Sequence, residues 1–330
     1  MNSLGIAEGV DKELATILAD IRSQAPELAG LMDELGRVIG AGGKRLRPIL
    51  CVLGYRAVAL SPEKRIFAAA ASLELLHTFA LLHDDVMDGS MTRRGLASTL
   101  AAKGTAVAVL AGDLAFVLSD RIFAGSDFSS EILWRARKHL DRMRLDAIAG
   151  QYLEMTLAGN QTLDLASASK IARYKTGSYT VEGPLAIGAA LGDADAAAQT
   201  ALAAFAAPVG EAFQIVDDLD AIESGGADGT ADIRAGAPTY LVATALASAS
   251  PGQRTSILAA WGVQSATLEQ VEAARTAIIT SGAAGRALER ATSLIKQSRV
   301  VLDSAQSGCL KEEARIVLNE LAASILEGRV

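Results

Sequence analysis

Aromatic residues make up only 4% of the 330-residue chain, and Ala and Leu dominate its apolar set, which favours closely packed helices over a β-sandwich. Cysteine is scarcer still. Cys51 and Cys309 are too few and too far apart to form a zinc-ligand set, and both are expected to be buried thiols in a reducing compartment. A basic excess is missing: the net charge of −7 excludes a general nucleic-acid binder, although a local phosphate pocket is still compatible with it. Residues 1–10 lack the basic start and apolar core of a secretory signal, and they are expected to be flexible. No run approaches a membrane span. The uncharged stretch from Ala235 to Gln253 is cut by Pro238 and Pro251. These absences lead to the expectation of a soluble, cytoplasmic protein, one that can still handle a greasy substrate.

What is present is helical periodicity almost everywhere, with no tandem repeat and no clean linker. One all-α domain over 1–330 is expected. Its first amphipathic helix covers about 12–39 and is interrupted at Pro26. Gly40-Ala41-Gly42-Gly43 breaks the chain, and Pro48 suits the start of the next helix. Ser61-Pro62-Glu63 reads as a cap leading into a helix that ends at Asp88, followed by a loop from Gly89 to Gly95. Further helices are expected over about 105–123, 129–157, 164–181, 183–192, 196–223, 239–249, 267–280, 284–305 and 310–327. The Gly-, Ala- and Asp-rich segment 224–238 follows a second acidic cluster and reads as a lid over a site.

Leu82-His83-Asp84-Asp85-Val86-Met87-Asp88 places three carboxylates within five residues at the end of an apolar run. On a helix Asp84 and Asp88 share a face one turn apart, and Asp85 is turned from Asp84 by about 100°. Like charges at that spacing repel unless cations sit between them, and Mg²⁺ shared with a diphosphate suits such an oxygen-rich cluster. Asp217-Asp218, after Phe213-Gln214-Ile215-Val216, repeats the pattern far downstream. Two such helix ends suggest carboxylates aimed into one cavity. Gly42-Gly43-Lys44-Arg45-Leu46-Arg47-Pro48 sets three cations and exposed amides before a helix, a combination that binds anions. His77, nearly two turns before Asp84, is a further candidate donor to a bound anion.

These elements together resemble the trans-isoprenyl diphosphate synthases, or polyprenyl synthetases. The likeness lies in Gly42–Pro48, Glu74-Leu75-Leu76-His77, His83–Asp88 and Arg93-Arg94-Gly95. It continues in order through Ala111-Gly112-Asp113, Gly150-Gln151, Lys175-Thr176, Phe213–Asp218 and Asp232-Ile233-Arg234. The resemblance implies an all-α isoprenoid-synthase-type bundle around a deep cavity, usually a homodimer, that joins isopentenyl diphosphate to an allylic prenyl diphosphate. It implies that Asp84, Asp88 and Asp217 bind two or three Mg²⁺ ions on the allylic diphosphate, with Asp85 and Asp218 in the same metal-binding clusters. Arg93 and Lys175 then hold that diphosphate. Lys44, Arg47, His77 and Arg94 hold isopentenyl diphosphate, and Thr176 and Gln214 sit beside the reacting carbons. Phe79 and Ala80, about one turn below Asp84, are expected to limit chain length, with geranylgeranyl diphosphate the favoured product and farnesyl diphosphate the next.

The second cluster departs from the family pattern. Ala221 stands where a third aspartate is usual, Asp220 falls one residue early, and residues 225–231 contain no lysine. Ala237-Pro238 occupies another usually basic position. One charge-assisted contact is worth about 1.5–3 kcal/mol, enough to change metal dependence without abolishing function. Two other readings therefore accompany chain elongation. A terpene cyclase-like lyase needs the acidic clusters but not Lys44, Arg47 and His77, and a non-catalytic partner of an active synthase tolerates the altered second cluster.

Overall fold

The computed structural model describes residues 3–59, 63–224, 227–304 and 308–327. The chain divides into two compact units where the sequence suggests one domain. Unit 1 comprises residues 1–137 with 187–194, and unit 2 comprises 138–186 with 195–330.

Unit 1 opens with α1 (Ser3–Gln24), a 3₁₀ turn at Pro26–Leu28 and α2 (Ala29–Gly40). The expected flexible start is helical from Ser3 onward instead. Ile6, Val10 and Leu14 recur every four residues and are at most 1% exposed, so their burial orders the segment. The break at Pro26 is as expected: the residue before it, Ala25, leaves helical backbone and Pro26 starts the 3₁₀ turn. After it come α3 (Leu46–Val58) and α4 (Ile66–Asp88). The expected cap at Ser61-Pro62 lies outside the described residues. Helix α4 is apolar on all sides and packs against α1, α3 and α6 (Thr105–Ala124), so Leu73, Leu75 and Leu76 form the centre of this unit. Among the described residues α4 alone is long and apolar enough to cross a membrane, yet 61% of its most apolar window is buried inside the protein.

Between α4 and α6 lies a small antiparallel hairpin, β1 (Thr92–Arg93) and β2 (Leu96–Ala97), followed by α5 (Thr99–Lys103). A plain loop is the sequence expectation here. Arg94 (φ 52°) and Gly95 (φ 75°) both have positive φ, the backbone a two-residue type I′ turn requires, and this turns the loop into a hairpin.

Helix α7 (Ser130–Leu157) runs from the first unit into the second. There α8 (Leu165–Ile171) passes into an eleven-residue π-helix, Ala172–Glu182, which replaces the single α-helix expected over 164–181. Next come α9 (Gly183–Leu191), which returns to unit 1, and α10 (Ala196–Ser224). Most of the expected lid segment is helical, α11 (Ala227–Ala235). Its C-terminal end is fixed: Ile233 is buried, Arg234 Nε donates to the Ala266 carbonyl at 3.2 Å, and Gly159 N donates to the Gly236 carbonyl at 2.9 Å. The remaining helices are α12 (Tyr240–Ser248), α13 (Pro251–Leu258), α14 (Leu268–Thr280), α15 (Ala283–Asp303) and α16 (Glu312–Leu326). The core of this unit forms where α10 packs on α15 and on the π-helix, with Phe205, Ile215, Leu294 and Ile295 buried.

Candidate active site

In unit 1 the acidic cluster occupies the last turn of α4, the end at which the helix dipole is negative. Three carboxylates there need a cation, and the hairpin brings one back. Arg93 donates through Nε and Nη2 to Asp85 Oδ1, each at 2.7 Å, and its Nη2 lies 3.5 Å from Asp84 Oδ2. Asp85 is buried, and that burial pushes its pKa up against the opposing pull of Arg93. The carboxylate grouped with the metal ligands from sequence is thus the partner of Arg93, whereas Asp88 lies open and Asp84 half-open.

Upstream of α3, Arg45 adopts left-handed backbone (φ 51°) and turns its buried guanidinium inward. It donates to Glu74 at 2.8 Å, Asp11 at 2.7 Å, and the carbonyls of Ile39 at 2.8 Å and Gly42 at 3.4 Å. Arg45 is therefore the post that holds the basic loop, with exposed Lys44 and half-buried Arg47 on either side. The tip of the hairpin is tied to the same loop, since Arg94 Nη1 donates to the Gly42 carbonyl. A Cβ on Gly43 (φ +144°) would come within 2.8 Å of the Arg94 guanidinium, so the stacked arrangement requires glycine there. His77 lies within this group. Burial first, then the charges of Arg47, Arg94, Arg93 and Arg45, hold its pKa well below the usual histidine range, so it is neutral among cations. Arg45 and Arg93 in this group are matched by carboxylates, whereas Arg47 and Arg94 are its cations on the basic loop and the hairpin tip.

Phe79 stacks between His83 (centroids 4.6 Å apart) and Phe116 (5.0 Å), and Ala80 beside it is half-buried. His83 itself is turned to α6, with Nε2 3.3 Å from the Val109 carbonyl and 3.5 Å from Asp113.

In unit 2 the π-helix presents Lys175 and Thr176. Such wide turns are uncommon and concentrate at functional sites. Lys175 pairs with Glu154 of α7, and the chain reaches α7 this closely only because residue 150 is glycine. A Cβ there would lie 2.7 Å from the Lys175 Cα and 2.9 Å from its Cβ. Thr176 donates to Gln214 Oε1, and Gln214 Nε2 donates to Asp218 Oδ1 at 2.5 Å. Burial, then the charges of Asp217, Asp232 and Glu154, push Asp218 well above the usual carboxylate range despite the Gln214 bond. Asp217 is exposed one turn before Ala221 on α10, and Asp220 is exposed as well.

Glu154 is thus an addition that sequence reasoning missed, whereas Asp232 is part of the Asp232-Ile233-Arg234 motif, to which the sequence alone attaches no role. The signal for Glu154 was its place one turn after Gly150 on the same helix face. Among the described residues no three acidic, histidine or cysteine side chains converge to hold an ion by themselves. A hard cation at either cluster needs further oxygens, which a diphosphate and water supply, and this is the usual way Mg²⁺ is bound.

Carboxylates beside cations at helix ends are an arrangement that suits an anion bound together with a divalent cation. The comparisons with known proteins agree. The Polyprenyl synthetase family model matches residues 29–278. The chain is 31% identical to a geranylfarnesyl diphosphate synthase of Aeropyrum pernix, over 88% of this chain and 92% of that one. It is 30% identical to a geranylgeranyl pyrophosphate synthase of Geoglobus acetivorans, over 93% of both. A geranylgeranyl pyrophosphate synthase from Corynebacterium glutamicum, solved with isoprenyl diphosphate and magnesium, superposes with a TM-score of 0.89 at 29% identity over the whole of both chains. The chain belongs to the polyprenyl synthetase family of trans-isoprenyl diphosphate synthases, and it is a prenyltransferase with the all-α isoprenoid-synthase fold.

Proposed function

We propose that the chain condenses isopentenyl diphosphate with an allylic prenyl diphosphate, with geranylgeranyl diphosphate as the main product and farnesyl diphosphate as the shorter one. The observation that supports this reading is the tie between the hairpin and the basic loop, which brings Arg94 to the Gly42–Arg47 segment beside the carboxylates that close α4. A lyase acting on a preformed prenyl diphosphate has no use for a second anion site.

Lys44, Arg47, His77 and Arg94 hold isopentenyl diphosphate. Arg93 in unit 1 and Lys175 in unit 2 are each proposed as donors to diphosphate, leaving Asp85 and Glu154 respectively to do so. Asp84 and Asp88 in unit 1, and Asp217 in unit 2, would be ligands for magnesium, which would supply positive charge to offset that on departing pyrophosphate. Breaking the allylic C–O bond leaves a carbocation, which the isopentenyl double bond attacks, and pyrophosphate accepts the proton then released. Thr176 and Gln214, joined by a mutual hydrogen bond, are assigned in this proposal to the side of the reacting carbons. Apolar residues such as Phe79 and Phe116 exclude water from the growing chain.

We also propose a cytoplasmic homodimer. Leu145, Ile148, Tyr152 and Met155 are each more than half exposed and recur at the 3-4-3 spacing of a helix seam. That stripe lies on the side of α7 away from Gly150 and Glu154, and a second copy of the chain covers it.

Purified protein incubated with Mg²⁺, isopentenyl diphosphate and each allylic diphosphate should yield elongated products. Asp84→Ala or Asp88→Ala should lower turnover by roughly 10³-fold with the helical spectrum unchanged. Cyclised products without isopentenyl diphosphate, or near-normal turnover in either variant, would overturn the assignment.

A further inference from the structure

A two-stranded hairpin with two residues per strand is marginal on its own, and Thr92, Leu96 and Ala97 are exposed. Packing cannot fix its position, yet it carries Arg93 and Arg94. Its anchor is polar and comes from α2. Glu34 is a buried carboxylate, 5% exposed, a placement that is costly unless its oxygens are fully hydrogen-bonded. They are: Arg37 Nε donates to Oε1 at 3.1 Å and to Oε2 at 3.0 Å, Arg37 Nη2 adds a third bond, and Thr99 Oγ1 a fourth. Hydrogen bonding by Arg37 is the largest cause holding the Glu34 pKa below its usual value.

Gripped in this way, Arg37 has donors left for other elements. Nη1 donates to the Ala97 carbonyl at 3.2 Å, at the base of the hairpin opposite Thr92, and Nη2 donates to Thr99 Oγ1 at 3.2 Å. The next residue, Ser98, seals the base: its hydroxyl donates to the Ser90 carbonyl at 2.6 Å and its N–H to the Met91 carbonyl at 3.0 Å. At the other end, α2 runs through Ala41 to Gly42, whose carbonyl receives Arg94. The hairpin is therefore held at both ends from α2, and a small cavity lined by Arg37, Asp85, Arg93, Arg94 and Leu96 lies between the two ties.

We infer that Arg37, oriented by Glu34, is a positioning residue that fixes the hairpin relative to the Gly42–Arg47 loop and so sets the spacing of the cations that receive diphosphate. This inference rests on the function proposed above. Arg37 touches no substrate in this account and acts through Arg93 and Arg94.

Calorimetric titration of the full chain with magnesium pyrophosphate gives a readout that does not require turnover. Arg37→Ala should bind it roughly tenfold more weakly and raise the KM for isopentenyl diphosphate by a similar factor, since small misplacements of binding groups carry penalties of that size. Arg37→Lys should fall between, because a lysine keeps the charge but not the fork that grips Glu34 and Ala97 together. In an Arg94→Ala background, adding Arg37→Ala should change the KM by less than about twofold, since residues acting through one another are not additive. A fall in melting temperature with pyrophosphate affinity and KM unchanged would overturn the inference, and so would independent, multiplying effects of Arg37 and Arg94. Wild-type protein that binds pyrophosphate but makes no product would sink the proposed function alone. Wild-type protein that binds no pyrophosphate would leave no anion site to position and would overturn the inference as well.

Discussion

Breaking the buried Arg45–Glu74 pair tests how the basic loop is held. Both side chains are about 6% and 5% exposed, at 2.8 Å, so neither charge is screened by water. Glu74→Leu keeps most of the side-chain volume and leaves the guanidinium buried. Removing one partner of such a pair costs about 3–5 kcal/mol, and Asp11, which still accepts from Nε, keeps the expected loss at the lower end, about 3 kcal/mol. That is a large fraction of the stability of an ordinary domain and corresponds to a fall in melting temperature of roughly 6–12 °C. Replacing both members, Arg45→Met with Glu74→Leu, removes the orphaned charge. Urea denaturation of the four proteins should therefore give a coupling energy of about 2 kcal/mol.

Substrate binding separates the two roles of Arg45. The double replacement recovers stability but still lacks the bonds to the Ile39 and Gly42 carbonyls that shape the loop. The KM for isopentenyl diphosphate should stay raised in the double variant while its unfolding midpoint recovers. A coupling energy below about 0.5 kcal/mol would show that the pair is not energetically buried, against the stated basis for the prediction. Full recovery of KM would show that Lys44 and Arg47 are ordered by something other than Arg45.

Gly150→Ala should destabilise unit 2 by about 1–3 kcal/mol and lower turnover through Lys175, because the added methyl meets the backbone of the π-helix; a loss under about 0.5 kcal/mol would mean that helix yields freely. For His77 the folded pKa lies below the unfolded one, so its contribution is present above about pH 6.5 and is lost as the pH falls below that, where the unfolded chain takes up a proton the folded chain refuses. The unfolding free energy should thus decline toward pH 5 with a slope of up to about 1.4 kcal/mol per pH unit from this group, and His77→Gln should flatten it; equal slopes in both proteins would count against the burial of a neutral His77. Phe79→Ala should lengthen the products and Ala80→Phe shorten them, as read by chromatography of dephosphorylated alcohols. An unchanged distribution in both would show that another wall measures the chain.

The parts of the fold that sequence exposes are those set by local rules. Pro26 forces the residue before it out of the helix, Gly42 and Gly43 break one, and the acidic clusters of α4 and α10 announce themselves by charge at helical spacing. The misses have equally specific causes. The N-terminal helix is hard to read because Gly5 and Gly9 stand directly before Ile6 and Val10 and weaken the apparent helix, although the buried stripe of Ile6, Val10 and Leu14 decides it. The π-helix at Lys175 has no separate signature, since a few wide turns barely alter an apolar pattern over eleven residues. The hairpin depends on Arg94 entering left-handed backbone, which its own composition disfavours and its bond to the Gly42 carbonyl supports.

The site divides in the same way. Residues that carry charge toward a substrate sit in motifs, because their chemistry demands a residue type at a spacing. Residues that hold those charges in place do so through partners far away in sequence, even where, like Arg45 and Glu74, they stand in a motif themselves. Arg37 reaches Ala97 across 60 positions, Glu34 reaches Thr99 across 65, and Arg45 reaches Asp11 across 34. No window of sequence contains both members of such a pair, and each looks alone like an ordinary helix-surface charge. Yet an exposed ion pair is worth at most about 1 kcal/mol, whereas Glu34 and Glu74 are buried and costly to leave unmatched. Burial is what turns these charges from solvated decoration into the frame of an anion site, and burial is decided by the packing of α2, α3 and α4 rather than by any local pattern of residues.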